Sequence, residues 1–274
     1  MDGPAVADLK SITAPLNFLV PMAEKPVAYN YEPPPGVPVR TGESEEHWVK
    51  IRDARPLIGQ LSLDREGFVL LRHQSAVQNF YDEEEIARVY YPECERAIKE
   101  ATGAARVVAF DHIVRNAAMS AKGNAIKMPA KRVHDDYTAW SAPQRVRDLL
   151  PDEADKLLER RFAIVQVWRP IRHPVESLPL AICDARSVSP DDFVISERRY
   201  PNRVGQTYVI KYNPRHRWYW FPRMRRDEAL VFKVYDSLKD GRARWTAHTA
   251  FDDPTAPPNA RPRESIEIRT LAFF

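Results

Sequence analysis

The 274-residue sequence holds only two cysteines and nine glycines, and each shortage removes a class of chemistry. Two thiols, Cys94 in a helix-like stretch and Cys183 in a strand-like one, cannot build a disulfide scaffold or a thiolate zinc site. They are expected to be small buried apolar side chains. With so little glycine, no G-x-G-x-x-G, no G-x-x-x-x-G-K-[ST] and no G-x-S-x-G occurs, and H-E-x-x-H is also missing. Dinucleotide folds, P-loop enzymes, nucleophile-elbow hydrolases and thermolysin-like zinc enzymes thereby lose their usual signatures. No apolar run approaches the roughly 18 to 20 residues of a spanning helix. The opening MDGPAVADLKSITAPLNFLV lacks the basic start and apolar core of a secretory leader. A cytoplasmic protein with no membrane partner is expected. One-sided charge is missing too: 41 basic against 38 acidic residues leave +3, which does not by itself call for nucleic acid.

What is present is an ordinary globular composition, 44% hydrophobic and 29% charged, on a length that suits one domain over residues 1–274. Proline is abundant, at 24 residues. Its run in YEPPPGVP, residues 31–38, fixes φ and removes donors, so residues 1–45 read as an extended arm laid over a core of residues 46–274. Helices are expected near 82–103, where Asp82 and Glu85 have capping-box spacing and Pro92 kinks or restarts the helix, and near 141–161. The remainder is β-rich. HWVKIRDAR, GFVLLRH and RVVAFDHIV precede eight strand-like stretches between residues 162 and 273. Successive strands with turn-rich links after helices describe an α+β protein on a double-stranded β-helix, the cupin-like jelly roll.

Only one His-x-Asp occurs, His134-Asp135-Asp136. Positions two apart on a strand share a face, so His134 and Asp136 can converge on one ion while Asp135 points away. Alone the triplet is weak, since seven histidines among ordinary aspartates make such a pair a common accident. The far end of the chain strengthens it: His248 sits in a strand, with Arg263 fifteen residues later and Ser265 two beyond. Two imidazoles and one carboxylate make a facial triad for non-haem iron(II), leaving positions for a chelating co-substrate and O2. A guanidinium beside a hydroxyl on one strand face suits the distal carboxylate of 2-oxoglutarate.

RVHDDYT, RFAIVQVWRPIRHPVESLPLAICDARSV, YNPRHRWYWFPRMRRDEALVFKVYDS, GRARWTAHTAFDDPTAPP and RESIEIRTLAFF carry a more specific likeness. From about Leu16 to Phe274 the chain resembles the fungal and bacterial hydroxylase/desaturase family of iron(II)- and 2-oxoglutarate-dependent oxygenases. That family includes a cephalosporin methoxylase component, gibberellin desaturase-like proteins and a fungal endoperoxide-forming oxygenase. The resemblance implies a jelly-roll enzyme of secondary metabolism with Fe(II), 2-oxoglutarate and O2 as cofactors. It also implies His134, Asp136 and His248 as metal ligands and Arg263 as the co-substrate arginine. It does not choose between hydroxylation, desaturation and cyclisation.

Other residues compete for these roles. Arg269 shares the strand parity of Arg263 and is the alternative carboxylate clamp; Gln166 could reach the co-substrate or simply pack. His112 could line the substrate cavity, although a hydrogen-bonded core histidine is commoner. Tyr137 and Trp140 follow the first ligands and are expected in the pocket wall, with the N-terminal arm as a lid. His173 lies in a proline-bounded turn, and His216, flanked by arginines, is expected at a solvated strand edge. Residues 215–226 mix Trp218, Tyr219, Trp220, Arg223 and Arg225 and could stack single-stranded nucleic acid, which would make the protein a demethylase. A half-buried barrel strand is the plainer account. The expected partner is therefore a small-molecule substrate; self-association into a homodimer is left open. Two further readings are a jelly roll that only binds a small ligand, and a cupin-type metal enzyme without co-substrate, for which Arg263 would be dispensable.

Overall fold

The computed structural model describes residues 8–121 and 127–274. Its strands, in chain order, are β1 (Ser11–Leu19), β2 (Val27–Tyr29), β3 (Ser44–Asp53), β4 (Phe68–Arg72), β5 (Arg106–Asn116), β6 (His134–Asp135), β7 (Phe162–Pro170), β8 (Leu180–Cys183), β9 (Phe193–Arg199), β10 (Val204–Ile210), β11 (Trp218–Trp220), β12 (Glu228–Asp236), β13 (His248–Ala250) and β14 (Glu264–Phe273). They form two sheets, one ordered β1-β3-β11-β8-β13-β6-β10-β9-β2 and the other β4-β12-β7-β14-β5. This is the expected jelly-roll core. All eight stretches anticipated after residue 162 contain a strand.

The smaller sheet is apolar on both faces because both are covered. All nine residues of β7, FAIVQVWRP, are buried. Phe162, Ile164 and Trp168 join Phe232 and Leu271 in a cluster with Ile182 and Tyr219 of the larger sheet, which fills the space between the sheets. On the other face Ala163, Val165 and Val167 meet Ile86, Tyr90, Cys94 and Ile98. Those four recur every fourth residue, one stripe of the helical segment spanning residues 83–102. Asp82 caps it, accepting from the Glu84 and Glu85 amides at 3.0 and 3.1 Å, a contact typically worth about 1 kcal/mol. The capping box is not closed, because Glu85 instead accepts from the Gln78 and Asn79 amides. Pro92 lacks the N–H that a continuous α-helix would use, and the turn before it, Ile86–Tyr90, widens to a π-helix. A left-handed Gly103 at φ 73° ends the segment. Both cysteines are buried and free, as expected.

The N-terminal arm is more than a strap. Residues 1–7 lie outside the described part, but β1 pairs along its whole length with β3, burying Ala14, Leu16 and Phe18. Pro15 interrupts this alternation in the sequence and is tolerated because β1 is an edge strand. His216 is also not at a solvated edge. It is buried, stacked on Phe18 and bonded through Nε2 to Asp192 at 3.0 Å, which supplies the partner that flanking arginines had concealed. Trp218, Tyr219 and Trp220 are buried as well, leaving no exposed aromatic platform there.

Candidate active site and metal centre

The structure brings the three proposed ligands together at the middle of the larger sheet. β6 is only two residues long and lies between β10 and β13, with His134 directly opposite His248. Their rings are 4.4 Å apart, and one donor atom from each of His134, Asp136 and His248 falls within 4.8 Å of the others. The Nε2 atoms stand 4.0 and 3.9 Å from the two oxygens of Asp136, too far for hydrogen bonds but within a span that one cation can draw together.

The tautomers are fixed from behind. His134 Nδ1 lies 2.7 Å from the Arg132 carbonyl and His248 Nδ1 lies 3.0 Å from the Thr246 carbonyl. A carbonyl only accepts, so each Nδ1 carries the hydrogen and each Nε2 turns a lone pair to the centre. Buried His248 Nε2 has no hydrogen-bond partner among the described residues, the orphaned atom expected of a ligand position. Burial and the neighbouring His248 push His134 down to about 3, so it stays neutral across the working range. Burial alone would raise Asp136, but the Arg269 guanidinium and the Gln166 amide hold it well below the usual carboxylate range. The donor set of two neutral imidazoles and one carboxylate fits non-haem iron(II).

Asp135, the residue between the ligands, points away as the strand period requires, yet it has a task. Its buried carboxyl accepts the Thr246 amide at 2.9 Å and the Tyr137 amide at 3.1 Å. It thus ties the backbone ahead of His248 to the turn that carries Asp136. Sequence reasoning assigned it nothing, and the period-two rule alone could not find a partner on a distant segment.

The two rival arginines are separated by their surroundings. Arg269 already has carboxylates: Asp111 at 2.8 Å, Glu267 at 2.5 Å and Asp136 at 3.5 Å. Arg263 is equally buried but has no carboxylate within ion-pair distance among the described residues. Its Nη1 donates to the Leu178 carbonyl at 2.6 Å, its guanidinium lies over Trp168, and its Nε is unpartnered. Burial, with Arg115 nearby, pulls it down to about 9. Ser265 Oγ, two positions further on, is likewise buried without a partner among the described residues. Gln166 does not reach outward: its amide donates to Asp136, directly beside Arg269 in the β7–β14 register, and its Oε1 is free.

Above the triad opens a cavity of about 930 Å³, within the usual range for small-molecule sites. Tyr137, half-exposed Trp140 and His112 all line it, as do Ala28, Asn30 and Arg40 of the N-terminal segment. His112 is held by Tyr91 at 3.0 Å and Glu83 at 3.1 Å. Arg263 and Ser265 are not in that wall; Arg263 immediately precedes β14 and shares a small separate hollow with His173, and Ser265 follows on the strand.

Comparison with known proteins identifies the family. A family profile described as an oxidoreductase/YMDC permease-like domain matches residues 16–273. The chain is 34% identical to the hydroxylase/desaturase efuI of Hormonema carpetanum over 82% of this chain and 83% of that one. It is 32% identical to the Fe(II)/2-oxoglutarate-dependent dioxygenase nvfI of Aspergillus novofumigatus, covering 89% of this chain and 90% of that one. A solved structure of the iron and alpha-ketoglutarate-dependent endoperoxidase NvfI superposes with a TM-score of 0.88 at 29% identity, over 96% of this chain and 98% of that one. With the triad, the jelly roll and near full-length similarity agreeing, the chain belongs to the hydroxylase/desaturase family of Fe(II)/2-oxoglutarate-dependent dioxygenases.

Proposed function

We infer that the protein is an Fe(II)- and 2-oxoglutarate-dependent dioxygenase that oxidises a C–H bond of a small secondary metabolite, with His134, Asp136 and His248 holding the metal. The observation that carries the ligand assignment is the pair of Nδ1-locked imidazoles whose Nε2 atoms face the Asp136 carboxylate. Bound there, iron(II) with 2-oxoglutarate and O2 supplies the oxidising power, 2-oxoglutarate leaving as succinate and CO2.

The chain's own side chains do the positioning. Arg263 and Ser265 receive the distal carboxylate of the co-substrate; an unpaired buried guanidinium and an orphaned hydroxyl are the complement of such a group. Arg269 and Gln166 hold Asp136 charged and oriented, so Gln166 acts on the ligand rather than on the co-substrate. Phe232, edge-on to His248 at 4.8 Å, helps to exclude water behind the metal. Tyr137 and Trp140 border the substrate. Replacing His134 or His248 by alanine is expected to abolish succinate release from 2-oxoglutarate; full release from either variant would overturn the ligand assignment.

A further inference from the structure

Resting on that functional reading, the wall of the cavity says something about what enters it. Nine basic and four acidic side chains line it, and the acids are engaged. Asp136 faces the metal position, Asp111 pairs with Arg269, Glu83 with His112, and Asp148 accepts from Gln144. The bases are not balanced in return. Arg40, Arg115, Arg145 and Arg198 have no carboxylate within ion-pair distance among the described residues. Arg115 donates only to the Met128 carbonyl, and Arg145 leans on the Phe110 ring. A divalent metal and a doubly charged co-substrate cancel one another, so loading the site leaves this excess in place.

Arg198 is the most exposed to the consequence. It lies on β9 two residues beyond Ser196, which also lines the cavity, opposite Gly205 of β10, which offers no side chain to cover it. The side chain is half-buried and makes no hydrogen bond or ion pair among the described residues. Burial disfavours its charge most; Asp136 supports the charge, and Arg40 and Arg269 oppose it. A guanidinium drawn partly out of water among other cations is stabilised most by an anion.

We propose that the substrate of this enzyme is a small organic anion, bearing a carboxylate or an equivalent sulfate or phosphate, which Arg198 anchors in the cavity. Anchoring at β9, across from Arg269 on β14, orients the rest of the molecule over the triad. The anionic group is not the one oxidised; it is the handle that fixes which C–H bond faces the metal.

A matched pair of fluorescent probes tests this on the chain saturated with Mn(II), an unreactive substitute for iron, and with 2-oxoglutarate. Anilinonaphthalene sulfonate and N-phenylnaphthylamine share one ring scaffold and differ by a sulfonate. The sulfonate is expected to bind roughly tenfold more tightly, the worth of one charge-assisted contact. Arg198→Gln is expected to erase most of that difference while leaving the neutral probe and the 2-oxoglutarate affinity unchanged. Equal binding of the two probes, binding of neither, or an Arg198→Gln variant that keeps the sulfonate preference would overturn the proposal. Displacement of the sulfonate by a short oligothymidylate at lower concentration than by naphthoate would also overturn it, assigning the cations to a nucleic-acid backbone. Calorimetric binding of 2-oxoglutarate in the same samples reports separately on the cofactor reading: its loss would sink that reading, whereas retained binding with no probe preference sinks only the anionic handle.

Discussion

Replacing Arg263 by methionine should make the ligand-free protein more stable and its co-substrate binding much weaker, two effects that an ordinary core substitution does not combine. In the free chain the guanidinium is buried without a counter-ion and pulled from 12.5 to about 9. Such a displacement corresponds to about 5 kcal/mol of penalty for keeping the charge inside. Methionine fills similar space and removes it, but leaves the Leu178 carbonyl without its donor, a loss of about 1 to 3 kcal/mol. The balance favours the variant by about 2 to 4 kcal/mol, a rise of several degrees in Tm for a domain of this size. With 2-oxoglutarate the sign reverses, because truncating one partner of a buried charge pair costs about 2 to 5 kcal/mol, or a thirtyfold or greater rise in Kd. Thermal unfolding and calorimetry of the Mn(II)-loaded protein read both. A variant that binds 2-oxoglutarate within threefold of the parent would refute the assignment of this arginine and transfer it to Arg269. A variant that melts lower without ligand would refute the claim that the charge is uncompensated.

Two other predictions concern the scaffold. Gly67 adopts φ +94°, and a Cβ there would strike the Thr246 hydroxyl, so Gly67→Ala should cost about 2 kcal/mol or more and weaken metal affinity, since Thr246 holds both Asp135 and His248; unchanged metal titration would contradict that route. Glu228 forms a two-pronged pair with Arg55 at 2.8 and 2.9 Å, and although burial alone would raise it, this contact holds it below the usual glutamate range. A carboxylate depressed on folding adds stability above its unfolded value and loses it as pH falls through the folded one. Urea midpoints should therefore decline below about pH 4.5, and more shallowly in Arg55→Met; parallel declines would exclude this pair as a cause.

The strands after residue 162 were readable because alternation and turn residues set them off, and β7 and β12, buried on both faces, still carried continuous apolar runs. β1 was not, because Pro15 interrupts its pattern and only pairing with β3 reveals its register. The proposed metal ligands were legible from residue type and order. Their supports were not: Asp135, Gln166 and Arg269 act through contacts made by segments far apart in sequence, and no local pattern encodes such meetings. For the same reason the sequence ranked Arg263 ahead of Arg269 without showing their surroundings, which among the described residues are three carboxylates around Arg269 and none within ion-pair distance of Arg263. His216 shows the limit from the other side, since its arginine-rich flanks suggested solvent while a partner twenty-four residues upstream buried it.

The most direct test is to add iron(II) and then 2-oxoglutarate to the anaerobic apoprotein and record its visible absorption. A weak charge-transfer band that forms only with both, at one equivalent of iron, and that is lost in His134→Ala and His248→Ala, is the predicted result. No band in the parent protein, or an undiminished band in either variant, would contradict the central claim.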